Sequence, residues 1–212
     1  MSGDPGDDIR RRFDDSTRRH LIGTLVPGVE LRLPDSAEEH ERQLDALWAT
    51  GDRPSIDPAP LFSDEERSRQ AAISGLRPAP LEHRLVWVAG GEVIGCYWGV
   101  QEDPARYYMI STVLRPDHQG RGIYTAFLPR LIAAVRETGF NEIHSRHRAD
   151  NNAILVPKLK AGFFIAGFDV APRHGILVVL RLYLHEGLGR LFAHRIDGRH
   201  APELRAAGLP VP

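Results

Sequence analysis

The segment VLRPDHQGRGIY, residues 113–124, places a strand, a tight turn and a helix in immediate succession. Before it, residues 107–114 (YYMISTVL) are rich in aromatic and β-branched residues, which predicts a strand. Pro116 ends the strand because proline cannot donate to a sheet ladder. After it, apolar residues recur at helical spacing over residues 123–138, and Gly139 stops the helix. A strand leading through glycines into a helix predicts a mixed α/β fold.

The same turn is a candidate anion site. Glycines let the backbone approach a ligand closely, and successive amide N–H groups converge at the positive end of the helix dipole. Taken alone, Gly-x-Gly before a helix is equally typical of an ordinary tight turn. On the anion hypothesis the site comprises Gln119, Gly120, Arg121, Gly122, Ile123 and Tyr124.

Periodicity predicts the other elements. Strands are expected at residues 29–33, 85–88, 93–100, 107–114, 142–147, 163–170 and 176–184. Helices are expected at residues 37–50, 63–75, 123–138 and 151–161. The 212 residues, 42% of them hydrophobic, suffice for one core. We therefore expect a flexible segment at residues 1–27, one domain at residues 28–188 and a tail at residues 189–212.

Charge and cysteine content restrict the setting and the partner. The 27 basic and 28 acidic residues nearly cancel, so composition does not indicate nucleic acid as a partner. The single cysteine, Cys96, cannot form an internal disulfide, and neither a signal-like N-terminus nor a membrane-length apolar run is present. We expect a cytoplasmic protein without membrane attachment. His144 and His147 do not predict a metal site, because three residues along a strand place them on opposite faces.

Two motifs together resemble the GNAT family of N-acetyltransferases. Gln119 and Gly122 occupy the first two defined positions of the family signature Gln/Arg-x-x-Gly-x-Gly/Ala, and Tyr124 stands where glycine or alanine is usual. About thirty residues downstream, NNAI at residues 151–154 and LKAGF at residues 159–163 resemble a second family segment, at the expected separation. The resemblance covers roughly residues 84–184, about half the chain.

The resemblance implies a mixed, mostly antiparallel twisted sheet of about seven strands, flanked by about four helices and splayed between the fourth and fifth strands. It implies that acetyl-CoA, or another acyl-CoA, is the cosubstrate and enters the splayed cleft. Backbone groups of Thr112, Val113 and Leu114 would then bond the pantetheine arm. Asn151 would lie on the opposite wall, unless it serves only as the N-terminal cap of the helix that follows.

The residues that relatives use for proton transfer are absent. Lys158 stands where many relatives carry the tyrosine that protonates the leaving thiolate. We expect a solvated lysine there, with stabilisation of the thiolate as a cation as the alternative. Arg146 and Tyr108 stand where some relatives carry a glutamate base.

His144 shares a strand face with Arg146 and is the best available base, titrating near its ordinary pKa of about 6.5, although a structural histidine is the simpler interpretation. Tyr108 and His144 are thus the candidate catalytic residues.

These inferences favour an enzyme that transfers an acetyl or short acyl group from CoA to a primary amine of a small molecule or peptide. The alternative is a catalytically degenerate relative that binds acyl-CoA as a sensor or interaction module. Pairing through residues 176–184 or the C-terminal segment would produce a homodimer, and the sequence leaves the oligomeric state open.

Overall fold

The computed structural model describes residues 4–49, 59–76 and 79–211, so residues 1–3 of the predicted flexible segment and residue 50 of a predicted helix lie outside it. The helices are α1 (Pro5–Leu21), α2 (Ala37–Ala49), α3 (Asp64–Ser74), α4 (Ile123–Thr138), α5 (Asn152–Lys160), α6 (Glu186–Asp197) and α7 (Ala201–Ala206). The strands are β1 (Gly23–Val26), β2 (Val29–Arg32), β3 (Glu82–Ala89), β4 (Glu92–Gln101), β5 (Arg106–Leu114), β6 (Glu142–Arg148), β7 (Phe164–Ala171) and β8 (Gly175–Tyr183).

All eight described strands form one sheet in the order β1-β2-β3-β4-β5-β6-β8-β7. Every neighbouring pair is antiparallel except β5 and β6, which run parallel. The predicted mixed, mostly antiparallel fold is confirmed. Because β1 adds a strand ahead of those predicted, the fourth and fifth predicted strands are β5 and β6 in the structure.

The parallel pair β5–β6 separates after four rungs, from Arg106 opposite Glu142 to Met109 opposite Ser145. Beyond Met109, β5 pairs with β4 alone, and β6 continues only along β8. The cause is a bulge: Trp98 faces Ser111 while Gly99 faces Met109, which leaves Ile110 as an extra residue in β5. A bulge bends its strand, so β5 turns away from β6 and a V-shaped cleft opens.

Helices cover the two faces of the sheet. On one, here named the α4 face, Tyr97 of β4 packs against Phe127 of α4 with ring centroids 4.9 Å apart. On the other, the α2 face, Leu44 and Leu47 of α2 pack with Val86 and Cys96. The cleft therefore opens toward both faces at the point where β5 and β6 part.

The N-terminal segment differs from the predicted flexible one, because residues 5–21 form α1, which packs on α4. Its buried side is half polar: beside Phe13, Ser16 Oγ donates to the Ala134 carbonyl at 2.8 Å and Thr17 Oγ1 lies 2.9 Å from His83 Nε2. Small polar residues that are buried by bonding to distant partners do not produce an apolar stripe.

The C-terminal segment also differs from the predicted tail, since α6 and α7 are helical. Phe192 of α6 stacks on Phe164 of β7 with ring centroids 3.9 Å apart. Leu204 of α7 is buried. The packing of Phe192 and Leu204 thus fixes the C-terminal helices on the domain, although apolar periodicity in this segment is weak.

Candidate active site

The turn that follows β5 lies at the open end of the cleft. A 3-10 turn, Pro116–His118, leads to Gly120 and Gly122, whose φ angles are 72° and 76°. These left-handed values favour glycine. A Cβ built on either residue meets no atom within 4 Å, so both face open space where a ligand can approach.

Where this turn enters α4, several backbone amides have no partner among the described residues. Within the described ranges, no group accepts a hydrogen bond from the N–H groups of residues 120–125, and the first bond of α4 runs from Ala126 N–H to the Gly122 carbonyl at 2.9 Å. Unpaired donors at a helix N-terminus bind anions, and each bond to a phosphate oxygen contributes roughly 1.5–3 kcal/mol. The turn therefore fits a pyrophosphate.

Side chains around the turn brace it. Gln119 Nε2 donates to the Leu114 carbonyl at 2.9 Å. Arg115 bonds both oxygens of Asp117, at 3.0 and 2.6 Å, and holds the pKa of that carboxyl at about 2. Arg121 is exposed at the rim. The Gln119 side chain thus stabilises the turn, while its neighbours' amides face a ligand.

Tyr124 does not narrow the phosphate site. Its side chain is 7% exposed and packs near Phe127 in the core, with ring centroids 6.4 Å apart. Tyr124 and Ile123, which is also buried, can therefore offer only their backbone amides to a ligand at the turn.

The walls of the cleft have free polar groups. Thr112, Val113 and Leu114 pair with β4 on one edge, and their other edge faces the gap left by β6. Ser111 Oγ is buried and has no hydrogen-bond partner among the described residues. Asn151 stands at the N-cap of α5, but its side chain makes no capping bond. These groups are available to an extended ligand with amide-like polarity.

On the α2 face, Tyr108 and His144 meet at the third of the four β5–β6 rungs. Their rings stack with centroids 4.6 Å apart and an interplanar angle of 12°. Arg146 Nε donates to the Tyr108 hydroxyl at 3.3 Å and pairs with Asp169 at 2.8 Å. Glu102 Oε1 lies 3.4 Å from His144 Nε2. The two candidate catalytic residues are therefore in contact at the cleft.

His144 is neutral at physiological pH, which differs from the expected titration near 6.5. Burial, together with the positive charges of Arg106, Arg146 and Arg181, lowers its pKa to about 4. Its Nδ1 atom is buried and has no partner among the described residues. The imidazole is thus already in the form that can accept a proton.

On the α4 face, Lys158 is not the solvated lysine that we expected. It is 1% exposed, and its Nζ lies 2.6 Å from Ser145 Oγ and 3.0 Å from His147 Nε2. Ser145 Oγ and His147 Nε2 are themselves 3.0 Å apart. Burial lowers the pKa of Lys158 well below its ordinary value and that of His147 to about 2.

The sequence contained a signal for this cluster. Lys158 follows Ile154 by four residues and precedes Ala161 by three, which places it on the apolar side of α5. Ser145 and His147 share a strand face by the period-two rule. Within the described ranges, no group of three or more His, Cys, Asp or Glu residues is placed to hold a metal, and no helix is long and apolar enough to cross a membrane.

Comparison with known proteins identifies the fold and the family. Solved structures with the same fold include Ard1 from Thermoplasma volcanium (14% identity, 75% of this chain and 99% of that chain, TM-score 0.55). They also include the ribosomal-protein-S18-alanine N-acetyltransferase from Escherichia coli (14% identity, 74% of this chain and 94% of that chain, TM-score 0.53). A third is a GNAT family acetyltransferase from Elizabethkingia anophelis with acetyl-CoA bound (15% identity, 74% of this chain and 99% of that chain, TM-score 0.53). No curated protein matches the chain significantly.

The family model described as "Acetyltransferase (GNAT) family" matches residues 43–163, more than half of the chain. This range contains both walls of the cleft, the glycine turn and the Lys158 cluster. The protein therefore belongs to the GNAT family of acetyltransferases.

Proposed function

We propose that the protein transfers an acetyl or short acyl group from CoA to a primary amine of a small molecule or peptide. The observation that carries the proposal is the arrangement along the cleft. Unpaired amides at residues 120–125 lie at its open end, and the stacked pair Tyr108–His144 lies near its vertex. A CoA whose pyrophosphate binds the turn extends along the free edge of β5, so its thioester reaches the vertex.

An amine acceptor requires a proton acceptor at this point. A primary amine with a pKa near 10.4 is almost fully protonated at pH 7, and its deprotonation costs about 4–5 kcal/mol. His144 is neutral and nearly buried, and its ring is fixed by the stack on Tyr108. It is therefore placed to accept the proton, directly or through a water molecule, while its lowered pKa makes it a weaker base than an exposed histidine. Arg146 holds the Tyr108 hydroxyl in place.

The acceptor enters from the α2 face in this proposal. Cations and carboxylates alternate there: Arg146 pairs with Asp169 at 2.8 Å, and Arg181 contacts Glu142 at 3.3 Å. Because the charges compensate each other, this surface favours neither a strongly acidic nor a strongly basic acceptor. A neutral amine of modest size, including a peptide N-terminus, is compatible with it.

The test combines binding and turnover. Titration with acetyl-CoA is expected to raise the melting temperature, and release of the CoA thiol is expected with members of a panel of amines that includes amino acids, polyamines and short peptides. Release that depends on the amine, together with an acetylated product detected by mass spectrometry, supports N-acetyl transfer. Binding without thiol release from any amine overturns it in favour of an acyl-CoA-binding module.

A further inference from the structure

Lys158, Ser145 and His147 form a closed triangle of hydrogen-bonding atoms at the vertex of the cleft. Its sides measure 2.6 Å (Nζ to Oγ), 3.0 Å (Nζ to Nε2) and 3.0 Å (Nε2 to Oγ). The amine donates to Ser145 Oγ, which leaves the serine hydroxyl free to donate to His147 Nε2. A primary amine at almost zero exposure, held by two neutral partners, has no structural need for its charge.

No carboxylate in the described part of the chain compensates this amine. Within the described residues no acidic side chain lies within salt-bridge distance of Lys158. A positive charge on Lys158 lowers the pKa of two groups, both on β6: His147 on the same face of the sheet and His144 on the opposite face. Burial alone lowers the pKa of Lys158, and no charge from α4 or β8 contributes to that lowering. Burial therefore favours the neutral form of the amine.

The triangle lies where the leaving group of the reaction would form. Ser145 is the last β6 residue paired with β5, and His147 lies beyond it, where β6 borders the open cleft. The Tyr108–His144 pair occupies the preceding rung on the opposite face. The vertex thus has a proton-accepting side on the α2 face and a buried amine on the α4 face.

We propose that Lys158 is the catalytic residue that becomes cationic when the CoA sulfur becomes a thiolate, with Ser145 and His147 as positioning residues that hold its amine. This inference rests on the proposed transfer to an amine. As the acceptor nitrogen bonds to the carbonyl carbon, the C–S bond breaks and its electron pair passes to sulfur. The neutral acceptor amine loses one proton, which passes by way of His144 to solvent, and Lys158 takes up one proton from solvent. The thiolate and the ammonium thus form together, and the charge of the site is unchanged.

The energetic reason is the low polarity of the site. An uncompensated thiolate next to buried side chains is costly, and an ammonium at hydrogen-bond distance offsets that cost. The same negative charge favours the protonated form of Lys158. The thiol of bound CoA should therefore ionise more readily than the thiol of free CoA.

The experiment titrates the ultraviolet absorption of the thiolate of CoA bound to the full chain, with desulfo-CoA as the reference ligand. In the unaltered protein we expect the midpoint at least one pH unit lower than in free CoA, which gives about tenfold more thiolate at pH 7. In Lys158→Met the midpoint should return to that of free CoA or rise above it. Ser145→Ala and His147→Gln should each shift it by less than Lys158→Met.

Lys160→Met is the matched control, since it removes an exposed lysine from the same helix and should leave the midpoint unchanged. An unshifted midpoint in the unaltered protein overturns the inference and leaves the proposed function intact. An acetyl adduct on Ser145 or Lys158 after incubation with acetyl-CoA also overturns it, in favour of a covalent intermediate. Failure of both CoA and desulfo-CoA to bind overturns this inference together with the proposed function.

Discussion

Tyr108 and His144 face each other across the parallel strands β5 and β6 with their rings stacked and nearly parallel, at an interplanar angle of 12°. Because each ring limits the rotation of the other, the imidazole is held in one orientation toward the cleft. Tyr108 is in turn fixed by Arg146, whose guanidinium lies 4.9 Å from the centre of its ring. Fixed orientation is what a base needs in order to act on a bound amine.

Separate substitutions in this pair distinguish the base from its support. His144→Gln is expected to lower kcat about a hundred- to ten-thousandfold, the usual effect of removing a general base. Tyr108→Phe keeps the stack and loses only the hydroxyl bonded to Arg146, so its effect should be much smaller. Steady-state kinetics of both variants with one amine checks this. A larger loss in Tyr108→Phe would contradict the role of His144 as the base.

The pH dependence follows from the lowered pKa of His144. Because the imidazole remains neutral down to about pH 4, the ratio of kcat/KM between the unaltered enzyme and His144→Gln should be constant between about pH 6 and 8. It should decline only as the pH falls toward 4. The ratio cancels the ionisation of the acceptor amine. A break in the ratio near 6.5 would show that His144 titrates like a solvated histidine.

The glycine turn can be tested by charge alone. Asn and Asp both tolerate the left-handed backbone of Gly122, whose φ is 76°, better than other residues do. Gly122→Asp should weaken acetyl-CoA binding about ten- to a hundredfold relative to Gly122→Asn, because its carboxylate opposes the phosphate. Gly28→Ala, at φ 77° in the β1–β2 turn, introduces left-handed strain far from the site and should leave the affinity unchanged. Equal affinities of the Asp and Asn variants would place the pyrophosphate elsewhere.

His83 makes the fold sensitive to acid. It is buried, stacks on Phe13 and contacts the Tyr107 hydroxyl at 2.7 Å, and burial lowers its pKa to about 3. The unfolded chain binds a proton near pH 6.5 that the folded protein does not bind, so stability is lost as the pH falls through this range. Between about pH 4 and 6, the unfolding free energy should fall less steeply with decreasing pH in His83→Gln than in the unaltered protein. The difference in slope should be about 1.4 kcal/mol per pH unit.

Urea titrations at several pH values measure that slope. His194→Gln, which alters an exposed histidine contact on α6, should retain the slope of the unaltered protein. An unchanged slope in His83→Gln would mean that His83 is protonated in the folded state.

Lys158 should affect stability at alkaline pH. Its pKa in the folded state is well below the ordinary value, so between the two pKa values the unfolded chain binds more protons than the folded protein. Stability therefore rises as the pH approaches about 10. Lys158→Met should remove this rise and increase the unfolding free energy at pH 7, because a neutral apolar chain replaces a buried amine. Lys160→Met should do neither. A destabilised Lys158→Met would indicate that the amine is charged and compensated.

Sequence patterns predicted the sheet and the cofactor turn because both depend on local periodicity and on glycine conformation. Residues 107–124 form a strand, turn and helix whose signals lie in adjacent positions. By contrast, α1 depends on Ser16 meeting Ala134, 118 residues away. Lys158 is likewise buried by Ser145 and His147 on a different element. Polar groups buried by distant partners resemble solvent-facing residues in the sequence, which is why α1 and the lysine cluster were not predicted.

The sheet has two parts, β1–β5 and β6–β8. Among the described strands, they are joined only by the four β5–β6 pairs, from Arg106 to Met109 on β5. Such a short pairing allows the two parts of the sheet to tilt relative to each other. A molecule that binds both β5 and β6 across the cleft would restrict the movement of the two parts relative to each other. Amide protons in the part formed by β6, β7 and β8 would then exchange more slowly when the cleft is filled, even at positions that no ligand touches.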